Sequence, residues 1–396
     1  MKVYADNAAT TKMSKAAVDA MLPYLYELYG NPSSLYSLGQ KSAEALQGAR
    51  ERIAVNLNCL PSEIYFTSGG SEADNQAVRS AALAGEKKGK NHIISTAFEH
   101  HAVLHTLKKL EEEGFEITLL DVHENGIITS EQVKSAIRPE TCLVTVMYAN
   151  NEIGTIQPIA EIGEVCREQK VTFHTDAVQA AGHIGVDVKR DNVDMLSMSA
   201  HKFHGPKGVG VLYVRKGVAL SNLIEGGAQE RGKRGGTENV AGIVAASVAF
   251  DESCKNIEQN TARILKMRER LIDGLLSVSH SILNGDRTSR LPGNVNICFE
   301  GIEGESLLLL LDAKGISGSS GSACTSGSLD PSHVLLAIGR PHEIAHGSLR
   351  LTLSEYNTDE EVDYIIKEVP KVVEYLRSMS PIWSDLQEGK KSYVIQ

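Results

Sequence analysis

Between residues 60 and 215, short apolar runs alternate with longer stretches whose apolar positions recur every three or four residues. Short continuous runs bounded by turn residues predict buried strands, and the longer period predicts amphipathic helices. Strands are expected at Glu63–Thr67, His92–Ser95, Glu116–Leu120, Leu143–Tyr148, Val171–Thr175, Met195–Ser199 and Val209–Val214. Helices are expected to begin at Glu72, His101, Ser130 and Ile159. Strands separated by helices in this way predict an α/β fold, a mostly parallel sheet with helices on both faces.

The flanks read differently. Residues 1–15 predict a short strand and a loop, Asp6-Asn7-Ala8-Ala9-Thr10-Thr11. Helical periodicity then runs to Tyr29, breaks at Gly30-Asn31-Pro32 and resumes from Leu38 to Leu57. A long helical region from Asn239 to Ser277 leads into a smaller C-terminal unit. That unit has strands at Val295–Glu300 and Ser348–Leu353 and helices at Ser306–Lys314 and from Asp359. The expected division is an N-terminal segment, 1–15, packing with the small domain, then a large domain, 16–255, and a small domain, 256–396. Residues 389–396 read as a polar tail.

In an open parallel sheet, ligands sit beyond the carboxyl ends of the strands, and here those ends are polar. Met195–Ser199 is followed by Ala200, His201 and Lys202, then a Gly/Pro turn and another apolar run. A lysine held there is a candidate Schiff-base amine, and equally an ordinary surface lysine before a hairpin. Thr67-Ser68-Gly69-Gly70-Ser71 joins a strand to a helix start, a natural anion site or a plain capping turn. It lacks a P-loop lysine and the Gly-x-Gly-x-x-Gly spacing. Asp176 ends an apolar run, where a buried carboxylate needs a cationic partner or caps the next turn. His100 is placed to stack on a flat ring, and Asn151 to donate to a phenolate oxygen. Arg350, in a strand-like alternation, suits a carboxylate ligand or a structural salt bridge.

Composition narrows the field. The chain has 396 residues, 42% hydrophobic and 23% charged, as in ordinary globular proteins. A formal charge of −10 argues against nucleic-acid binding as its main role. The longest aliphatic run, Leu307–Leu311, is far too short to span a bilayer, and no apolar signal core follows Met1. Six cysteines show neither a C-x-x-C pair nor a zinc spacing, so no resident metal is expected and a reducing, cytoplasmic location is. Five have neighbours suited to inert core thiols, though Cys254 less clearly. Cys324 stands apart in a loop of glycine, serine and alanine, residues 315–330, with nothing around it to form a core. Such a thiol reads as a travelling nucleophile or carrier. Together, the lysine, the anion turn, the Asp and the Arg favour a pyridoxal phosphate enzyme acting on an amino acid.

The same stretches carry a family resemblance. Tyr4 to Thr11, Gly30 to Ser34, Thr67 to Glu72, Asn150 to Gly154, Asp176 to Gln179, Ser199 to Lys202, Arg234 to Asn239, Ser319 to Ser326 and Leu349-Arg350 occur in family order. In these motifs, nearly full length, the chain resembles the NifS/IscS-type cysteine desulfurases of class I, within the class-V aminotransferases. Gly70-Ser71 stands where that family often has Ala-Thr, with the hydroxyl kept. The resemblance implies the fold-type I architecture: a mostly parallel seven-stranded sheet between helices, and a smaller α+β domain.

It also implies roles. Lys202 would bond pyridoxal 5′-phosphate and move the substrate's Cα proton, with His100 stacked on the ring and assisting. Asp176 would hold the pyridine nitrogen, and Asn151 and Gln179 the ring oxygen. Gly70, Ser71, Ser199 and His201 would bind the phosphate, joined by Thr237 from the second subunit of a homodimer. Arg350, with Asn151, would take the carboxylate of L-cysteine. Cys324 would receive the sulfur as a persulfide, release alanine, and pass sulfur to an iron–sulfur scaffold protein or another acceptor. Cys324 could also ligate, transiently, a cluster shared with that scaffold. The rivals are a sibling enzyme, an aminotransferase or selenocysteine lyase, and a non-catalytic sulfur carrier using Cys324 alone.

Overall fold

The computed structural model describes residues 1–320 and 331–395. Strands β1 to β12 are, in chain order, Val3–Tyr4, Ile64–Thr67, His92–Thr96, Glu116–Leu120, Thr141–Thr145, Thr172–Asp176, Met195–Ser199, Gly210–Val214, Ser281–Leu283, Asn294–Phe299, Ile316–Ser317 and Ser348–Thr352. Strands β3, β5, β7 and β8 are buried at every position. Helices cover both faces of these four, so none of them has a solvent side, whereas the edge strand β4 is exposed or half-buried throughout.

The main sheet has seven strands in the order β2-β8-β7-β6-β5-β3-β4. Only β8 runs against its neighbours β2 and β7; the remaining pairs are parallel. The carboxyl ends of β2, β7, β6, β5 and β3 therefore share one edge of the sheet. Two boundaries differ from the pattern reading in ways that matter. Strand β5 ends at Thr145, though Val146 and Tyr148 run on toward that edge, their N–H groups donating to His174 O and Asp176 O of β6 at 3.2 and 2.8 Å. The helix after β2 begins at Gly70, not Glu72, so the Gly-rich turn supplies its first residues.

The long helical region divides at Asn256 into helices Val240–Lys255 and Ile257–Leu276. Ala245, Ala246, Ala249 and Phe250 of the first join the core under the main sheet. Ile264, Met267 and Leu271 of the second join a separate core with Val3, Ala5, β10 and β12. A three-stranded antiparallel sheet, β12-β10-β9, and the parallel pair β1–β11 complete that smaller unit. Strand β9 escaped the pattern reading because its three residues are only half-buried. Val334, Leu335, Ile338, Ile344 and Ala345 lie late in the chain yet pack into the core under the main sheet.

The chain end corrects the expectation of a polar tail. Tyr393 stacks on His280 with ring centroids 3.8 Å apart, and Ile395 is buried. The Glu300 carboxylate accepts the N–H groups of Val394 and Ile395, at 2.8 and 3.1 Å. The Tyr393 ring and the Ile395 side chain, behind a polar stretch, suffice to dock it, since burying them offsets the ordering cost.

Candidate active site

At the shared edge of the sheet lies a cavity of about 800 Å³. Ten of the expected site residues line it: Gly70, Ser71, His100, Asn151, Asp176, Gln179, Ser199, His201, Lys202 and Arg350. Thr237 is exposed and does not line this cavity. Cys324 lies outside the described residues.

Lys202 closes a short 3-10 turn, Ala200–Lys202, that leaves β7 at Ser199. The turn folds back tightly: Gly205 N–H donates to Ala200 O at 2.9 Å, and a Cβ at Gly205 would sit 2.9 Å from that same oxygen. Only glycine fits there without displacing backbone. The Lys202 amine donates to Ala8 O and Ala9 O, at 2.6 and 2.9 Å. The N-terminal loop thus holds the amine against the cavity, anchored by Thr11 N–H to His201 O at 2.9 Å.

Asp176 is the last residue of β6 and is 4% exposed. Its Oδ1 accepts the Val178 N–H at 2.8 Å. Burial pushes this carboxyl up to about 6, opposed by that N–H and by the charge on Lys202. Two further carboxyls lie buried nearby, and the sequence reading missed both. Burial raises Glu99 to about 8 despite hydrogen bonds from Thr96 Oγ1 and Met147 N, and Asp176 raises it further. Asp74, on the helix from Gly70, is also pushed up, by burial first and then by Asp176. The signal for Asp74 was present: it shares the stripe of Gly70, Ala73, Ala77 and Ala81 that faces inward. Oδ1 of Asp74 and Oε2 of Glu99 are buried without a hydrogen-bond partner. A cation delivered to Asp176 would relieve the whole group.

The anion turn is open toward the cavity. Gly69 is the N-cap, with no side chain satisfying the first N–H groups, and a Cβ on Gly69 would meet nothing within 4 Å. Gly70 has the opposite constraint: its Cβ would fall 2.7 Å from Val178 Cγ2. The acidic residue in this first turn, Glu72, is held by Arg234 at 2.9 Å, which spares the anion site an unpaired carboxylate. His201 Nδ1 lies 3.1 Å from Thr10 Oγ1, and burial with the nearby Lys202 charge lowers its pKa to about 4.

His100 caps the helix His101–Glu112, its Nδ1 accepting the Ala102 N–H at 3.1 Å. That bond leaves the neutral ring's proton on Nε2. Burial, then the Lys202 charge, lowers this histidine to about 4, so the ring is neutral at pH 7. Gln179 donates to Ala8 O at 3.0 Å.

Arg350 enters from β12 of the smaller unit. Its Nη2 pairs with Asp6 Oδ1 at 2.9 Å and its Nη1 donates to Asn151 O at 3.1 Å. Its Nε is buried without a partner. Asp6 is thus part of the site, though the pattern reading placed it only in a loop.

These residues fit pyridoxal phosphate. The partnerless acid atoms suit a cationic ring nitrogen, the open helix start suits the phosphate, and Lys202 lies on the same cavity.

Comparisons with known proteins agree. The family model Aminotransferase class-V matches residues 3–365. The cysteine desulfurase IscS of Clostridium botulinum strain Hall is 55% identical over 393 residues, spanning 98% of this chain and 99% of the relative. Among solved structures, a NifS-like protein superposes with a TM-score of 0.89 at 38% identity, covering 95% of this chain and all of that one. SspA in complex with cysteine superposes with a TM-score of 0.79 at 37% identity, covering 90% and 99%. The chain belongs to the class-V aminotransferase family, in the branch that holds the IscS and NifS cysteine desulfurases.

Proposed function

We propose that this cavity removes sulfur from L-cysteine with pyridoxal phosphate, giving L-alanine and a persulfide on Cys324. The observation that carries the reading is the meeting of Lys202, Asp176, the Gly70 turn and Arg350 around one cavity. When bound, the cofactor supplies an electron sink for the carbanion-like state at the substrate's Cα. Lys202 would hold the cofactor's aldehyde carbon, and its amine would carry the substrate's Cα proton. Asp176 would keep the ring nitrogen charged, the helix start and His201 would seat the phosphate, and Arg350 would orient the substrate carboxylate. His100, whose neutral ring carries its proton on Nε2, would help hold the cofactor and hand on a proton there.

Cys324 takes the sulfur as a thiolate. The other five cysteines are free, and burial pushes each thiol up to about 11 or 12, which leaves them inert at neutral pH. Free thiols also support a reducing, cytoplasmic location. No described helix is long and apolar enough to cross a membrane. Large apolar side chains between Leu22 and Tyr36 are exposed, Leu35 at 92% and Tyr29 at 71%, and this supports pairing with a second copy. Such a homodimer would bring Thr237 to the partner's cofactor. An iron–sulfur scaffold protein or another sulfur carrier is the proposed acceptor.

With L-cysteine and a thiol reductant, the protein is expected to form alanine and sulfide in equal amounts. Lys202→Ala should lose both products and the cofactor's visible band, whereas Cys324→Ser should keep the band and lose sulfide. Sulfide release by Cys324→Ser at the wild-type rate would rule out the persulfide route.

A further inference from the structure

His204 comes two residues after Lys202 and is 3% exposed. Its backbone has a φ of 63°, a conformation that side chains seldom adopt. The N-terminal loop holds it there. The His204 N–H donates to Thr11 Oγ1 at 2.8 Å, and the Ser14 N–H donates to His204 O at 3.0 Å. The ring is held as well: Nδ1 lies 2.8 Å from Lys12 O, and Nε2 lies 3.2 Å from Glu355 Oε2. The second contact is an ion pair outside hydrogen-bond geometry. A carbonyl and a carboxylate can only accept, so each ring nitrogen needs its own proton. A neutral ring would set a buried lone pair against an oxygen. The surroundings therefore suit the imidazolium.

Glu355 lies three residues past the end of β12, the strand that carries Arg350. The pair thus ties the Lys202 turn directly to the end of that strand. A second tie between the same elements runs through the N-terminal loop. Ala8 O and Ala9 O accept from the Lys202 amine, the Ala8 N–H donates to Thr352 Oγ1 at 2.8 Å, and Asp6 pairs with Arg350.

We propose that His204 is a positioning residue for substrate binding, which with Glu355 fixes the spacing between the Lys202 turn and the strand of Arg350. This rests on the desulfurase reading above. In an amino acid the Cα and the carboxyl carbon are one bond apart. An amine that serves the first and a guanidinium that serves the second must therefore stand at a set separation.

The charges around the ring agree. Burial favours the neutral ring, but Glu355, the Lys12 carbonyl and the Glu252 charge outweigh it and raise His204 above the ordinary 6.5. Burial would raise Glu355, and its contact with His204 holds it below the usual carboxylate value instead. The Tyr356 ring meets His204 edge-on at 5.1 Å, and the Lys12 ammonium lies over Tyr356. His183 faces the same region; burial lowers its pKa, and its Nε2 donates to Lys202 O at 2.8 Å. Since the folded value of His204 is raised, the pair is complete below 6.5 and lost as pH rises through that folded value.

The test uses the cofactor-loaded protein. Histidine ring signals are followed by NMR against pH, with His204 assigned by its absence in His204→Gln. Cysteine binding is read from the change in the cofactor's absorbance. His204 should titrate above 6.5 in wild type and lower in Glu355→Gln. At pH 6, Glu355→Ala and His204→Gln should need about 10-fold more cysteine for the half-maximal change, the scale of one lost charge-assisted contact. Cofactor content should stay as in wild type. Glu355→Gln, whose amide can bond the neutral ring, should keep most of the affinity. The ratio of wild-type to Glu355→Gln affinity should fall as pH passes the His204 titration, and this ratio cancels the ionisation of cysteine itself.

A His204 that titrates at or below 6.5 would overturn the proposal. So would wild-type affinity in Glu355→Ala, or an affinity ratio that ignores the His204 titration. Joint loss of cofactor and melting temperature in Glu355→Gln would show a merely structural pair and overturn it too. If wild-type His204 titrates high yet cysteine leaves the absorbance unchanged, the desulfurase reading fails, and the role of the pair in holding cysteine fails with it.

Discussion

The two walls of the cavity handle charge in opposite ways. On the sheet wall, Asp176, Glu99 and Asp74 are buried together, Asp176 raises the pKa of the other two, and two carboxyl oxygens are left without hydrogen-bond partners. On the facing wall, Arg350 is already compensated by Asp6 and the Asn151 carbonyl, with only Nε unpartnered. The first wall is electrostatically unfinished and gains by taking up a cation. The second is nearly complete, so a substrate carboxylate must compete for its arginine. A resident cofactor that stays and a substrate that comes and goes call for this asymmetry, because tight binding of substrate alone does not speed the chemical step.

Breaking the sheet wall should have the largest effect. Asp176→Asn keeps the shape but cannot hold the ring nitrogen charged, and alanine formation should fall by about 10²-fold, as when one preorganised electrostatic group is removed. The same change should raise the melting temperature of cofactor-free protein above pH 6, since a buried charge is gone. A lower melting temperature there would show that the acids are not strained against one another.

A smaller effect concerns Glu99. Its folded pKa, about 8 against an ordinary 4.5, is raised. Its contribution to stability is therefore fully present below pH 4.5 and lost as pH rises through 8. Cofactor-free protein should lose stability across that window, and Glu99→Gln should reduce the slope by up to about 1.4 kcal/mol per pH unit. Denaturant titrations at several pH values measure this, and an unchanged slope would place the strain elsewhere.

The smallest effect sharpens the facing wall. Asp6→Asn leaves an oxygen to orient Arg350 but removes the competing charge, so KM for cysteine should fall several-fold, about 1 kcal/mol of binding. A raised KM would mean that Asp6 serves as a brace and not as a competitor.

Much of the sheet wall was legible in the chain. Lys202, Asp176 and the Gly70 turn follow apolar runs, and parallel topology collects strand ends at one edge whatever the details of packing. Asp74 was legible in hindsight, as an acid on an inward stripe. The facing wall was not. Nothing local joins Asp6 to Arg350, 344 residues away, or Glu152 to Ser332, 180 away. The docked end, Tyr393 to Ile395, hid behind polar neighbours for the same reason: its acceptor site on Glu300 and His280 is distant in sequence.

The sequence by itself determined the α/β framework and which side chains arrive at the edge of the sheet. It could do so because hydrophobic periodicity is a local property and strand ends are its direct consequence. Only the tertiary structure decided which charges find partners and which stay uncompensated. That outcome depends on desolvation and on pairs formed between residues far apart in the chain, and neither is encoded in neighbouring residues.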